Sequence, residues 1–294
     1  SCYLFVVFLA SSSCATLAPS SSASEGYKGQ VNSLRIAIET TWSDKIERVA
    51  VVNDIIELTA KPVLEGFLSR IKSAKSPIAL DQVQPAHQIT PAFASGAMSH
   101  GALNANAHQA VAQGTNIAGA MSNSGEGGEH SSRFNSIKSS KIKQFASGRF
   151  GVWVGYLADP QLEEIEIKIA QGAKPGEGGQ LPSPKVTVEI AAARGGTPGV
   201  ELVSPPPHHD TYSIEDLGQL IHDAKAARVR VIVKLVSSEG IGTIAVGVAK
   251  ADADIINVAG NTGGTGAAAV TSLQDSGRSA KTGVAKGQQA ESET

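Results

Sequence analysis

The tetrapeptide Gly-Glu-Gly-Gly occurs twice, at residues 125–128 and 176–179, and each copy holds a carboxylate, Glu126 or Glu177, between glycines. Bare glycine backbone lets N–H groups converge on an anion. A carboxylate inside each loop repels phosphate, however, and suits the loops to an amine, an iminium or a dipolar substrate. The second loop also carries Lys174 and Gln180. Further on, Pro205 to Pro207 impose an extended path on His208-His209-Asp210. Neighbouring side chains of an extended segment point to opposite sides. The triplet therefore favours contact of one histidine with substrate over a shared metal, and no metal ligands are assigned.

These residues need elements to hold them. Ile165, Ile167 and Ile169 alternate with Glu164, Glu166 and Lys168, the period-two pattern of a half-buried strand. That strand runs into the second glycine loop, which is how α/β enzymes present reactive groups at the carboxyl ends of their strands. Ala92 to Ser99 reads as a short buried strand ending in a small-residue loop, followed by an Ala-rich helix around Asn104 to Ala112. Arg133 to Arg149 is basic and serine-rich, either a solvated face or a lid over an anion. Val200 to Val203 reads as a brief strand. Ser213-Ile-Glu-Asp216 is a capping box opening a helix that buries Leu217, Leu220, Ile221 and Ala224. Strands at Val229 to Val236, with Lys234 near the carboxyl end, and at Asp254 to Val258 flank a helix starting at Thr243, which predicts a parallel sheet. Asn261 to Gly266 closes that unit, and the absence of G-x-G-x-x-G there argues against a dinucleotide fold.

The remaining segments are bounded by composition. Residues 1–26 combine an apolar run, Cys2 to Ala10, with a Ser/Ala-rich stretch free of acids before Glu25, which resembles a signal or transit peptide. Residues 27–80 carry a helical stripe (Leu34, Ile38, Trp42, Ile46, Val49, Val52, Ile56) and a second helix from Pro62, a packing extension without readable chemistry. After 273 the chain becomes a polar tail, 274–294. A net charge of −2 gives no pointer to nucleic acid or an anionic membrane as partner. The only cysteines, Cys2 and Cys14, exclude a disulfide framework or a Cys-based metal site in the body of the chain.

Longer motifs carry a resemblance. Gly96-Ala-Met-Ser99, Ser122-Asn-Ser-Gly-Glu-Gly-Gly-Glu129, Lys141-Ile-Lys-Gln144, Ala146 to Gly151, Ile167 to Pro182, Ser204 to Asp210, Tyr212 to Leu217, Lys234-Leu-Val236, Gly242-Thr-Ile244, Gly247 to Lys250 and Gly263 to Ala267 occur in that order. Together they resemble the FMN-binding synthase domain of glutamate synthase, over residues 81–273. The resemblance implies a (β/α)8 TIM-barrel holding FMN, with a 3Fe-4S cluster nearby. It implies reduction of 2-iminoglutarate, formed from 2-oxoglutarate and ammonia, with electrons from ferredoxin or an NAD(P)H-linked subunit. In this numbering it places Ala97, Met98, Ser124, Gln144, Lys234, Gly263, Gly264, Thr265 and Gly266 against the flavin. Arg149, Lys174 or one of His208 and His209 would hold the substrate carboxylates, with Gln180 also at the substrate. Glu126 or Glu177 would meet the iminium and Lys234 the reduced ring, with Lys234 and Glu177 as the catalytic pair.

The chain departs from that pattern in places. About six strands can be counted from Phe93, near 93, 117, 165, 200, 230 and 255, where a closed barrel has eight. The expectation is therefore an incomplete barrel with an N-terminal helical extension, lacking the amidotransferase domain and the cluster cysteines. Ala120-Met121 stands where the family has glycine and arginine, which removes one cationic contact. Plastid and cytoplasm both remain open as compartments. A second reading is a catalytically silent remnant acting only through association; a doubly wound binding domain would need a switch point the motifs do not suggest.

Overall fold

The computed structural model describes Tyr3–Phe5 and residues 79–293, apart from 175, 206–209, 262–267, 269–270 and 273–276. The helical stripe of 31–60, the helix from Pro62, His208, His209 and Gly263 to Gly266 lie outside the described residues.

The architecture is α/β around a parallel sheet. Strands β2 (Ile142–Phe145), β3 (Glu164–Lys168), β6 (Arg230–Val236) and β7 (Ile255–Ala259) lie side by side in that order, all parallel, and β1 (Tyr3–Phe5) pairs with the free edge of β7. Single parallel bridges, Ala94 to Met121 and Asn123 to Ile142, continue the ladder on the other side of β2. The parallel run therefore follows chain order from residue 94 to residue 259. Strand β4 (Gly179–Leu181) and strand β5 (Leu202–Ser204) form a separate antiparallel pair outside this sheet.

The helices α1 (Ala105–Ile117), α2 (Val154–Leu157), α3 (Val188–Arg194), α4 (Ile214–Lys225), α5 (Ile241–Lys250) and α6 (Ala280–Ser292) connect and cover these strands. Their ends follow local chemistry. Ser213 Oγ accepts from Asp216 N at 3.1 Å, satisfying a first-turn donor of α4, and the Asp216 carboxylate reaches back to accept from Tyr212 N at 2.9 Å. Asn104 caps α1 through Ala107 N at 2.9 Å, and α3 stops at Gly195 with φ 69°.

One face of the sheet packs on helices: Ile165, Ile167, Val231, Val233, Leu235, Ile256 and Val258 meet Leu217 and Ile221 of α4 and Ile241, Ala245 and Val248 of α5. Fully burying each such side chain contributes about 1.5–3 kcal/mol. On the opposite face a smaller apolar layer joins Met121, Ile142, Ile232 and Ile255, with Ala94 against it. Met121 plugs this inner layer.

Four expectations are corrected. The strand at 164–168 is not half-buried; all five residues are buried, because parallel strands in an α/β core are covered on both faces. The basic segment 133–149 is neither a solvated face nor a lid, since it contains the buried β2 and the buried side chains Arg133 and Lys143. The strand expected near 117 is the end of α1, with pairing displaced to 121–123, and the one near 200 belongs to the antiparallel hairpin. Part of the tail, by contrast, is helical: α6 runs Ala280–Ser292, with Gly283 and Gly287 buried.

Candidate functional site at the carboxyl ends of the strands

The alternation of β3 aims Glu164, Glu166 and Lys168 at the face opposite the helices. Register places Lys168 beside Lys234 of β6, and Lys234 beside Asn257 of β7. Glu166 accepts from Asn257 Nδ2 at 3.0 Å, from Asn123 Nδ2 at 3.3 Å and from Gln144 Nε2. These side chains form a polar layer directly above the Met121–Ile142–Ile232–Ile255 layer.

Above it sits the loop of residues 122–129. Gly125 has φ 67°, and a Cβ there would stand 2.6 Å from Ser99 N and 2.7 Å from Met98 C, so only glycine lets this turn rest on the 96–99 segment. The seating brings Glu126 inward. Its Oε2 accepts from Lys168 Nζ at 3.0 Å, and its Oε1 accepts from the Ser204 hydroxyl. Burial alone would push the Glu126 carboxyl up, but Lys168, Ser204 and Arg194 together hold it below the usual range. Gly179, from the second Gly-Glu-Gly-Gly loop, approaches closely enough that a Cβ would meet Glu126 Oε2 at 2.6 Å. The two repeated loops thus converge.

Three ammonium groups gather here. Burial lowers Lys234, with Lys168 adding repulsion and Glu166 and Glu126 opposing it. Lys174 is lowered by burial and by Lys168, against the pull of Glu177 and Glu126. Lys168 reaches Gln171 Oε1 at 2.7 Å as well as Glu126. Among the described residues Lys234 Nζ makes no hydrogen bond or ion pair. Three lysines (168, 174, 234) thus gather with the carboxylates of Glu126 and Glu166 at the strand ends. Such a cluster favours an anionic ligand.

Behind the 122–129 loop lies a second buried ionic group. Glu129 takes Lys143 Nζ at 2.5 Å, Arg133 at 2.9 Å and Ser140 N at 3.1 Å, and Lys143 also meets Asp159 at 3.0 Å. His108 Nε2 bonds Ser124 O at 2.8 Å, and its Nδ1 meets Arg133. Burial, reinforced by Arg133, lowers His108 to about 4.

Placement of the expected residues is uneven. Glu126, Lys174, Gln144, Lys234 and Met98 come together around the loop and strand ends. Ser124 is buried, and its hydroxyl is engaged with Tyr156 Oη at 2.8 Å and Gln144 N at 3.0 Å. Glu177 is exposed and accepts from Ser272 Oγ, outside the buried cluster. Gln180 is turned onto the exposed Glu201 at 2.5 Å, away from the lysines. Arg149, on the loop after β2, pairs with Asp210 at 2.7 Å, so its cation already has a partner. Glu166, Lys168, Asn123 and Asn257 were missed as site residues. Asn257 is the lone polar residue of Ile-Ile-Asn-Val-Ala, a signal available in the sequence.

Fold and site define an α/β protein of the class that gathers charged side chains over the carboxyl ends of parallel strands. The chain belongs to the glutamate synthase family: the family model described as a conserved region in glutamate synthase matches residues 33–293. It is 53% identical over 234 residues to the glutamate synthase (NADPH) large chain of Bacillus subtilis (strain 168), covering 76% of this chain and 15% of that protein. Against the ferredoxin-dependent glutamate synthase of Antithamnion sp. the identity is 48% over 244 residues, or 74% of this chain and 16% of the relative. For the glutamate synthase (NADH) of Schizosaccharomyces pombe it is 49% over 237 residues, 78% and 11%. The chain therefore spans under a fifth of the length of these relatives. Among the described residues no helix is long and apolar enough to cross a membrane.

Proposed function

We propose that this chain is the FMN-binding synthase region of a glutamate synthase, folded as part of a (β/α)8 barrel, and that it serves reduction of 2-iminoglutarate to L-glutamate. The convergence of Lys168, Lys174 and Lys234 on one end of the sheet supports the reading, because 2-oxoglutarate brings two carboxylates and reduced flavin a third anionic group. The residues present fit a flavin. Among the described residues Lys234 makes no hydrogen bond or ion pair, Gly125 lets bare backbone pass close to Met98, and the amide of Gln144 donates to Glu166. Bound reduced FMN supplies the hydride that the imine carbon accepts. An iron–sulfur cluster does not fit, since residues 15–294 contain no cysteine.

The chain's own groups have separable tasks. Lys234 would hold negative charge on the reduced ring, and Met98, Ala97 and Gln144 would line it. Lys174 binds a substrate carboxylate. Glu126, kept ionised by Lys168 and Ser204, faces the iminium and stabilises its positive charge. Glu177, Arg149, Gln180, His208, His209 and Gly263 to Gly266 (Thr265 included) are proposed to complete the rim once ligands are bound. Electrons would come from ferredoxin or an NAD(P)H-linked subunit, the donors that appear in the relatives' names.

The test is direct. The purified chain, mixed with FMN, should turn yellow and quench flavin fluorescence. After anaerobic reduction, the flavin should reoxidise only when 2-oxoglutarate and ammonium are both added, with glutamate appearing. Lys234→Met should lower that reoxidation rate at least about 100-fold, consistent with loss of a preorganised charge. Colourless, self-associating protein would instead favour the catalytically silent reading.

A further inference from the structure

We propose that Glu166 is a positioning residue of this site, one that turns the amides of Asn123, Gln144 and Asn257 and supplies the counter-charge facing Lys234. What Glu166 serves rests on the flavin reading above; how it is wired does not.

An ionised carboxylate only accepts hydrogen bonds. Glu166 is almost completely buried and receives Asn123 Nδ2 at 3.3 Å and Gln144 Nε2 on one oxygen, with Asn257 Nδ2 at 3.0 Å on the other. Each donor comes from a different part of the parallel ladder: the 121–123 segment, β2 and β7. With all three NH2 groups committed, all three amide oxygens must face away from Glu166. For Asn123 the consequence is visible, since its Oδ1 accepts from Gly125 N at 2.9 Å. Glu166 is thereby connected, through one side chain, to the turn that carries Glu126.

The charge balance leads to the same residue. The charged groups facing Lys234 are Glu166 and Lys168 of β3 and Glu126 of the 122–129 loop, while β7 contributes only the neutral Asn257. Glu126 already has Lys168 at 3.0 Å. Glu166 has no ion-pair partner of its own among the described residues, and is the carboxylate left to balance Lys234.

A glutamine at 166 would bring an NH2 group into a ring of three NH2 donors and remove the counter-charge. The full chain without added flavin is labelled with acetic anhydride across pH, and modification of Lys234 is followed by mass spectrometry. In Glu166→Gln the midpoint for Lys234 should fall by about one unit or more. Glu166→Asp, which keeps the charge but withdraws it by one methylene, should give a smaller fall and serves if the glutamine variant does not fold. Glu163→Gln, at an exposed pair with Lys141, should leave the midpoint in place. A Lys234 midpoint unmoved in both Glu166 variants overturns the proposal. A shifted midpoint in a protein whose wild type never binds FMN leaves the Glu166 assignment standing and removes the flavin reading instead.

Discussion

At the scale of single residues, the 122–129 loop depends on a glycine whose neighbours cannot yield. A methyl group on Gly125 would strike Ser99 N and Met98 C, both backbone atoms, in a conformation with φ 67° that L side chains rarely adopt. Gly125→Ala is expected to cost about 2–4 kcal/mol in urea unfolding, from strain and overpacking together. The buried Glu129 group gives a second expectation. Lys143→Met would leave Glu129 and Asp159, at 2.5 and 3.0 Å, without their shared cation. Breaking a buried pair by removing one partner costs about 3–5 kcal/mol, so the same titration should show a loss of that order. Loss below 1 kcal/mol would mean that water or Arg133 replaces the lysine.

At the scale of elements, α6 offers a contrast between two glycines on one helix. At Gly287 an added methyl would meet only Ala245 Cβ at 3.7 Å, an ordinary contact. Gly287→Ala should therefore stabilise the protein by about 0.5–1 kcal/mol, the helix-propensity difference. At Gly283 the same methyl would stand 2.6 Å from Ser237 Oγ and 2.8 Å from Val258 Cγ1, within the contact between α6 and the sheet. Gly283→Ala should destabilise by about 1–3 kcal/mol. Opposite signs in thermal unfolding of the two variants check the docking of α6, and equal signs would refute it. The Ser213 cap of α4 is a smaller effect, with Ser213→Ala expected to cost about 1 kcal/mol.

At the scale of the whole molecule, the buried groups make the fold sensitive to acid. His108 is lowered to about 4 from an ordinary 6.5, so the unfolded chain takes up that proton first as pH falls. Its contribution is complete above pH 6.5, declines as pH drops towards 4, and amounts to roughly 2–4 kcal/mol. His100, lowered by burial, acts in the same direction. Glu126 and Glu129, held below the usual carboxylate range despite burial, add a further loss as pH falls below about 4.5. Glu164, pushed up by burial, partly opposes them. Urea unfolding should therefore show stability declining from pH 6.5 downward, and His108→Gln should flatten the limb between 6.5 and 4.5. An unchanged limb would place the acid sensitivity elsewhere.

Local pattern was enough for the helix opened by Ser213, the strands around 230 and 255, the parallel sheet between them, and the family, because caps, β-branched runs and ordered motifs are short-range properties of the chain. Motif and resemblance together also singled out Glu126, Lys174, Gln144 and Lys234 as candidates. Only the folded arrangement decided that Glu166 and Lys168 face inward, that Arg133 and Lys143 are buried, that Ser124 is spent on Tyr156, and that the hairpin at 202–204 leaves the sheet. The physical reason is that an alternating strand looks the same whether its polar face meets water or a buried charge. That choice is made by what packs over it from distant parts of the chain, here the 122–129 loop settling on Met98 and Ser99.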